Sequence, residues 1–409
     1  MAMPVNEHAE KDGLPVRRAI IGVTLVQALV TMAAFTPAAV APALAKALGV
    51  PTSMIGLQVG IVYAGAMVMS FISGGLVRRW GGLRTSQTAL VLAALGTMSM
   101  TLPSLAAVAF GSLLVGIGYG CTNPSAAHVL FRLAPPARRN LIFSIKQAGQ
   151  PLGGVLAGLL APPLAVNFGL AWALAAAGLA CLGWLIFMQT FRDRIDDDRE
   201  PAYPVFARPF ADLALVWRDQ ALRVLAGAAC CFGAVQLAVT TFLVAMLVDE
   251  LGLSLIVAGA VLAAHQVAGV VGRMFWGAVA DRVGDGGRTL MVIAGISAAS
   301  TLVCVVLTPA SPFALVITLF VLLGLSAVGW NGVFQAEVAL RAPAGRAGNA
   351  TAGVMVMAFV GVFGGPPLFT AVHELTASYA EAYGWLAVGS LLGLLLVAVS
   401  RRVDARRTG

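Results

Sequence analysis

Val26-Gln27-Ala28-Leu29-Val30-Thr31 returns 209 residues later as Val235-Gln236-Leu237-Ala238-Val239-Thr240. Two further matches follow in the same order. Gly74, Arg79 and Gly81 return as Gly277, Arg282 and Gly284, and Arg132 and Asn140 return as Arg341 and Asn349. Three matches at nearly one offset mark an internal duplication. The join is the stretch from Phe191 to Arg223, where Asp193, Asp196, Asp197, Asp198 and Glu200 mix with arginines and with Pro201, Pro204 and Pro209. No apolar run there is long enough to cross a bilayer, which takes about 20 residues.

Outside that join the chain is built for lipid. Of 409 residues, 59% are apolar and 11% charged, against about 25% charged in a soluble domain, and the mean hydropathy is +0.90. Apolar segments are expected at 19–44, 54–76, 85–103, 105–131, 140–164 and 168–190, then at 222–248, 254–279, 288–308, 312–340, 348–371 and 380–400. The expected organisation is an all-α integral membrane protein of 12 transmembrane helices in two six-helix bundles, 19–190 and 222–400. A tail at 1–18, a linker at 191–221 and a tail at 401–409 complete the chain. Duplicated halves of this kind place a cavity at their interface near the midplane.

Charge sets the orientation. Of the 26 Lys and Arg residues, all but Lys46 and Lys146 fall at ends and turns that this helix count assigns to one side, which reads as cytoplasmic, with both termini there. The net charge of +8 then answers an anionic leaflet rather than a nucleic acid. The five cysteines lie in apolar segments without metal-site or disulfide spacing. No phosphate-binding loop, zinc motif or nucleophile elbow occurs, so neither an enzyme nor a cofactor is expected. The expected setting is a bacterial cytoplasmic membrane, the expected state a monomer, and the expected partners a small-molecule substrate and the lipid bilayer.

The turn Gly277-Ala278-Val279-Ala280-Asp281-Arg282-Val283-Gly284, with Arg288 beyond, and its weaker first copy Gly74-Gly75-Leu76-Val77-Arg78-Arg79-Trp80-Gly81 resemble the cytoplasmic signature G-x-x-x-D-R-x-G-R of the major facilitator superfamily. The resemblance runs over essentially the whole chain and implies secondary transport. Its motif implies a latch, in which a carboxylate closing one half sits at the positive end of a helix in the other. Asp281 fits that role near Asn140. Arg78, standing where the motif has aspartate, does not.

Polar groups at membrane depth are the candidate site, because they are costly there. Lys146 lies six residues beyond Asn140, with Gln150 one turn further on the same face and Pro151 beside it. Either it faces the cavity or it snorkels to the surface. Arg273 and Gln266 share a face of the eighth segment. The spacing Arg273-x-x-x-Gly277 resembles the arginine that meets a carboxylate in monocarboxylate-type members. Gln27 with Thr31, and Gln236 with Thr240, stand at equivalent positions of the two repeats and suggest a symmetric polar wall. Tyr63, Asn123, His265, Trp330, Asn331 and Gln335 are further candidates, and Glu337 reads as an ion-pair partner of Arg341. Two intramembrane cations with no midplane carboxylate point to a small organic anion, carried by proton symport or anion exchange with Lys146 or His265 as coupling groups. The competing expectation is drug or metabolite efflux by proton antiport. Cysteines placed near Asp249, Ser311 and Ala377 should react with an impermeant thiol reagent only from outside the cell, and those near Arg138 and Asp197 only from inside. One reversed position overturns the helix count.

Overall fold

The computed structural model describes residues 13–135, 139–190, 192, 195–205, 211–343 and 346–408, and all regular structure among them is helical. The first half comprises α1 (Gly13–Ala39), α2 (Ala41–Leu48), α3 (Ile55–Trp80), α4 (Gly82–Ser99), α5 (Leu105–Leu133), α6 (Arg139–Gln147), α7 (Gly149–Phe168) and α8 (Leu170–Gln189). The second comprises α9 (Ala211–Arg218), α10 (Gln220–Ala245), α11 (Leu255–Val283), α12 (Gly286–Cys304), α13 (Phe313–Leu323), α14 (Asn331–Arg341), α15 (Ala347–Thr376) and α16 (Tyr379–Thr408).

Eleven spans are long and apolar enough to cross a membrane, one fewer than expected. The exception is the expected segment 85–103, which folds as the 18-residue α4. Its first turns carry Arg84, Thr85, Ser86 and Gln87, and these lower its hydropathy. They are not left unpaired: the Ser86 and Ser125 hydroxyls bond at 2.9 Å, and Gln87 Nε2 donates to Gln189 Oε1 at 2.9 Å. The linker also holds a short helix, α9, that the sequence reading lacks.

Beside the seventh segment, whose end is a π turn at Met246–Glu250, three expected segments are interrupted. The first ends at Ala39 because Pro42, near the start of α2, lacks the N–H that would continue α1. The fifth breaks between α6 and α7 at Ala148, since Pro151 has no N–H for the carbonyl of Gln147. The tenth contains a π-helical turn, Gly324–Val328, between α13 and α14. Such turns weaken the regular backbone ladder, and α11 supplies donors to that stretch. His265 Nδ1 donates to the Phe320 carbonyl at 2.9 Å, Trp276 Nε1 to that of Leu325 at 2.9 Å, and Arg273 Nε to that of Val328 at 3.4 Å.

The halves meet through α3 with α15 and α7 with α11. Backbone approaches backbone where α7 crosses α11: a Cβ on Gly158 would stand 2.6 Å from the Gly259 carbonyl oxygen, and a Cβ on Gly259 2.5 Å from Pro162 Cγ. At the face remote from the termini, Ser53 Oγ donates to Glu374 Oε1 at 2.5 Å, and Thr370 Oγ1 donates to the Ser53 carbonyl at 2.8 Å. These bonds clamp the two halves together at that face. Gly158→Leu should therefore lower the unfolding temperature in detergent, since forcing such bulk into a packed contact costs about 1–3 kcal/mol. Gly183→Leu, where a Cβ meets nothing within 4 Å, should not. Equal unfolding temperatures would refute the close crossing.

Candidate functional site

A cavity of about 300 Å³ lies between the halves. The first half contributes Phe35, Tyr63, Tyr119, Asn123, Gln147, Gln150 and Pro151, on α1, α3, α5, α6 and α7. The second contributes Gln236 and Thr240 from α10, Gln266 and Arg273 from α11, Trp330, Asn331 and Gln335 around α14, and Met355 and Phe359 from α15. The interrupted helices account for much of the polar lining, because Gln147 and Gln150 flank the α6–α7 break and Trp330 and Asn331 follow the π turn.

Arg273 is the one charged side chain among the lining residues. Apart from the bond to Val328 its guanidinium faces the cavity, and no carboxylate among the described residues forms a salt bridge with it. In the first half's part of the lining, Tyr119 packs edge-on against Tyr63 with ring centroids 5.4 Å apart. Across from them, Gln236 Oε1 accepts from Trp330 Nε1 at 2.9 Å and from Asn331 Nδ2 at 3.1 Å.

Of the expected site residues, Tyr63, Asn123, Gln150, Gln236, Thr240, Gln266, Arg273, Trp330, Asn331 and Gln335 line this cavity, and Gln27, Thr31, Lys146 and His265 do not. The polar wall is one-sided. Gln27 donates to Thr31 within α1 at 3.2 Å, and both are buried because α7 presses Gly149 and Gly153 onto them. His265 is fully buried, with Nε2 3.3 Å from Thr240 Oγ1 and Nδ1 on Phe320. Lys146 is 3% exposed, and its Nζ donates to Asn123 Oδ1 and to Gln147 Oε1, the latter at 3.3 Å. Sequence reading missed Phe35, Tyr119, Gln147, Met355 and Phe359. Tyr119 lies one turn before Asn123 and Gln147 adjoins Lys146, so spacing points to those two. Nothing in the apolar pattern distinguishes Phe35, Met355 and Phe359 from packing residues.

The signature turns sit at the terminal face, and the two copies differ. Asp281, Arg282, Arg79 and Arg78 are exposed. Asp281 forms no side-chain hydrogen bond or ion pair among the described residues, and Arg78 lies 4.7 Å over the ring of Tyr203. A Cβ on Gly74 or Gly277 would meet nothing within 4 Å, while Gly81 (φ 94°) and Gly284 (φ 66°) occupy conformations that favour glycine. Arg138 and the side chains of Asn140 and Asn349 lie outside the described residues.

Carboxylates nevertheless cap both turns. In the second copy Asp285 caps α12, accepting from the Arg288 N–H at 2.9 Å, and pairs with Arg401 at 2.5 Å and Arg288 at 3.2 Å. Glu337 pairs with Arg341 in the same region. At the positions equivalent to Asp285 and Glu337 the first half has Gly82 and His128. Its carboxylates come from the linker. Asp196 accepts from the N–H groups of Leu83 and Arg84, both at 2.8 Å, and so caps α4. Arg132 pairs with Asp197 at 2.7 Å and Asp198 at 2.6 Å, and His128 meets Asp198 at 2.8 Å. Burial opposes ionisation of Asp198, but Arg132 and His128 outweigh it and hold its carboxyl below the ordinary 3.8. Burial is also the largest influence on Asp196, and it pushes that carboxyl up against the pull of the Leu83 and Arg84 N–H groups.

The Major Facilitator Superfamily model matches residues 23–366. A Mycobacterium tuberculosis protein described as an uncharacterized MFS-type transporter is 27% identical over 372 residues, which is 88% of this chain and 79% of that one. Among solved structures, the peptide transporter POT in complex with sulfate superposes with a TM-score of 0.75 at 16% identity, covering 94% of this chain and 95% of that one. A bacterial homolog of the human lysosomal transporter Spinster, inward-facing and occupied, does so with a TM-score of 0.75 at 15% identity, covering 97% and 98%. At such identities the two structures speak for the fold alone.

Removing a helix cap costs about 1 kcal/mol, so Asp196→Ala should destabilise the detergent-solubilised protein by about that amount, and Asp196→Asn by less. The docking of Asp198 should be complete above about pH 4 and weaken as pH falls through its lowered folded value. Arg132→Gln should remove that acid dependence. Unfolding followed by intrinsic fluorescence between pH 3 and 6 reads both, and an unchanged profile in Arg132→Gln refutes the assignment.

Proposed function

The chain belongs to the Major Facilitator Superfamily, and we propose that it carries a small monocarboxylate-like organic anion across a bacterial cytoplasmic membrane by alternating access. Arg273 carries the reading. It is a guanidinium in a cavity between two repeats, without a carboxylate partner among the described residues, and a carboxylate satisfies it through two parallel hydrogen bonds. Gln150, Gln236, Gln266 and Asn331 surround that anion with amides, and the Tyr63–Tyr119 pair with Trp330 covers its apolar part. Gln27 and Thr31 act behind this wall, holding α1 against α7.

Counting α4 as a span gives twelve helices with both termini on the cytoplasmic side, the side rich in arginine. The clamp at the remote face then leaves the cavity facing inward. Asp281, exposed in this state, is free to engage when the terminal face closes. Exchange of one anion for another, or symport with a proton, both fit a cavity whose cation is costly to leave empty. Lys146, His265 and the substrate itself are the candidate proton carriers. Efflux of an aromatic drug or metabolite is the second reading, favoured by the rings of Phe35, Tyr63, Tyr119, Trp330 and Phe359, although a cationic drug would lack a counter-charge.

Uptake of labelled monocarboxylates into proteoliposomes, with and without an imposed pH gradient, tests the proposal. Arg273→Gln should reduce anion uptake by about ten- to a hundredfold, the worth of a hydrogen bond to a charged group, with expression unchanged. Preferred export of lipophilic cations by the parent protein would replace this reading with the efflux one.

A further inference from the structure

Lys146 does not line the cavity, yet both oxygens it reaches belong to residues that do. Charged or neutral, a lysine Nζ carries at least two N–H bonds, so it can satisfy two acceptors at once. Whichever way an amide side chain would otherwise lie, such a partner draws its oxygen and leaves its NH₂ elsewhere. With Oδ1 of Asn123 and Oε1 of Gln147 turned back to Lys146, the groups these residues retain for the cavity are N–H donors. Pro151 contributes to this placement, because the helix break it causes sets Lys146 at the end of α6 with Gln147 at the rim.

The facing wall is arranged the same way by different means. An indole N–H is a donor only, and Trp330 Nε1 fixes Gln236 Oε1, which also accepts from Asn331. Gln236 therefore keeps its NH₂ for the cavity. Arg273, which has no acceptor atoms, lies in the same cavity. Three amides and a guanidinium thus converge on the cavity with donors.

We propose that Lys146 is a positioning residue that holds Asn123 and Gln147 as hydrogen-bond donors, so that the cavity selects a monocarboxylate carrying a second acceptor oxygen, the 2-oxo acid class. The proposal rests on the anion reading of the cavity. A 2-hydroxy acid brings a proton that none of these three amides or the guanidinium accepts, and a simple carboxylate leaves donors unpaired; each buried donor left unmatched costs about tenfold in affinity.

Binding of two matched series to the purified full-length protein, followed by tryptophan fluorescence and calorimetry, tests it: pyruvate, lactate and propionate, then benzoylformate, mandelate and phenylacetate. In the parent the 2-oxo acid should bind about tenfold more tightly than its two analogues. Lys146→Met should bring the three members of a series within about twofold of one another, and Lys146→Arg, which keeps the donors, should restore the order. Should Lys146→Met fail to fold, Asn123→Asp, which replaces the donor by an acceptor while pairing with Lys146, should weaken 2-oxo acid binding at least tenfold. An order retained in Lys146→Met, or unchanged affinity in Asn123→Asp, overturns the positioning role while leaving the anion reading standing. Failure of the parent to bind any of the six anions sinks the anion reading itself.

Discussion

Everything in this molecule hangs on how closely the two repeats approach at the face remote from the termini. There α7 and α11 cross with Gly158 and Gly259 backbone to backbone, and α3 meets α15 where Gly56 packs under Thr370 and Pro366. Small residues permit such contacts in lipid, where packing and hydrogen bonds rather than water drive helix association. The Ser53–Glu374 bond adds a polar tie. These contacts hold the repeats together at that face, and the cavity lies where the repeats part.

Divergence alone would expose broken backbone to hydrocarbon, which is not tolerated. The protein places its irregular backbone where other side chains satisfy it. The π turn at Gly324–Val328 is served by His265, Arg273 and Trp276 from a single neighbouring helix. The same guanidinium thus serves the interrupted helix through its Nε and also lines the cavity. At the break before α7, Lys146 instead holds the side-chain oxygens of Gln147 and of Asn123 on α5. In both places the irregularity and the site are one feature, since a regular helix would turn these groups toward its neighbours.

The architecture was legible in the sequence because it follows from periodicity and charge. Apolar length, arginine-marked turns and the Val26–Thr31 and Val235–Thr240 repeat are local signals. Pro151 announced its break, and Arg273, Gln150 and Gln236 announced themselves as polar groups at depth. The misreadings arose where tertiary packing decides. Gln27 and Gln236 are equivalent in sequence, but the first is covered by the glycines of α7 and the second is not. Nothing local separates Phe35 or Phe359 in the cavity from phenylalanines in the core, and no pattern signals the π turn. The linker acids read as a solvated charge run, whereas Asp196 is buried beneath Gly81 at a helix end.

Asp196 also bears on how the chain is made. It caps α4 from 113 residues away, so α4 leaves the ribosome long before its cap exists. At roughly 5–20 residues per second the interval is about 6 to 20 s, during which the remaining helices of the first repeat are synthesised and must insert. The first repeat is thus completed only by a segment that follows its last helix. The second repeat takes its cap from Asp285, immediately beside the helix it serves, and needs no such wait. Biogenesis of the two copies is therefore asymmetric despite their common plan, and a chain severed before the linker would present the membrane insertion machinery with a bundle whose α4 has bare N–H groups at its start.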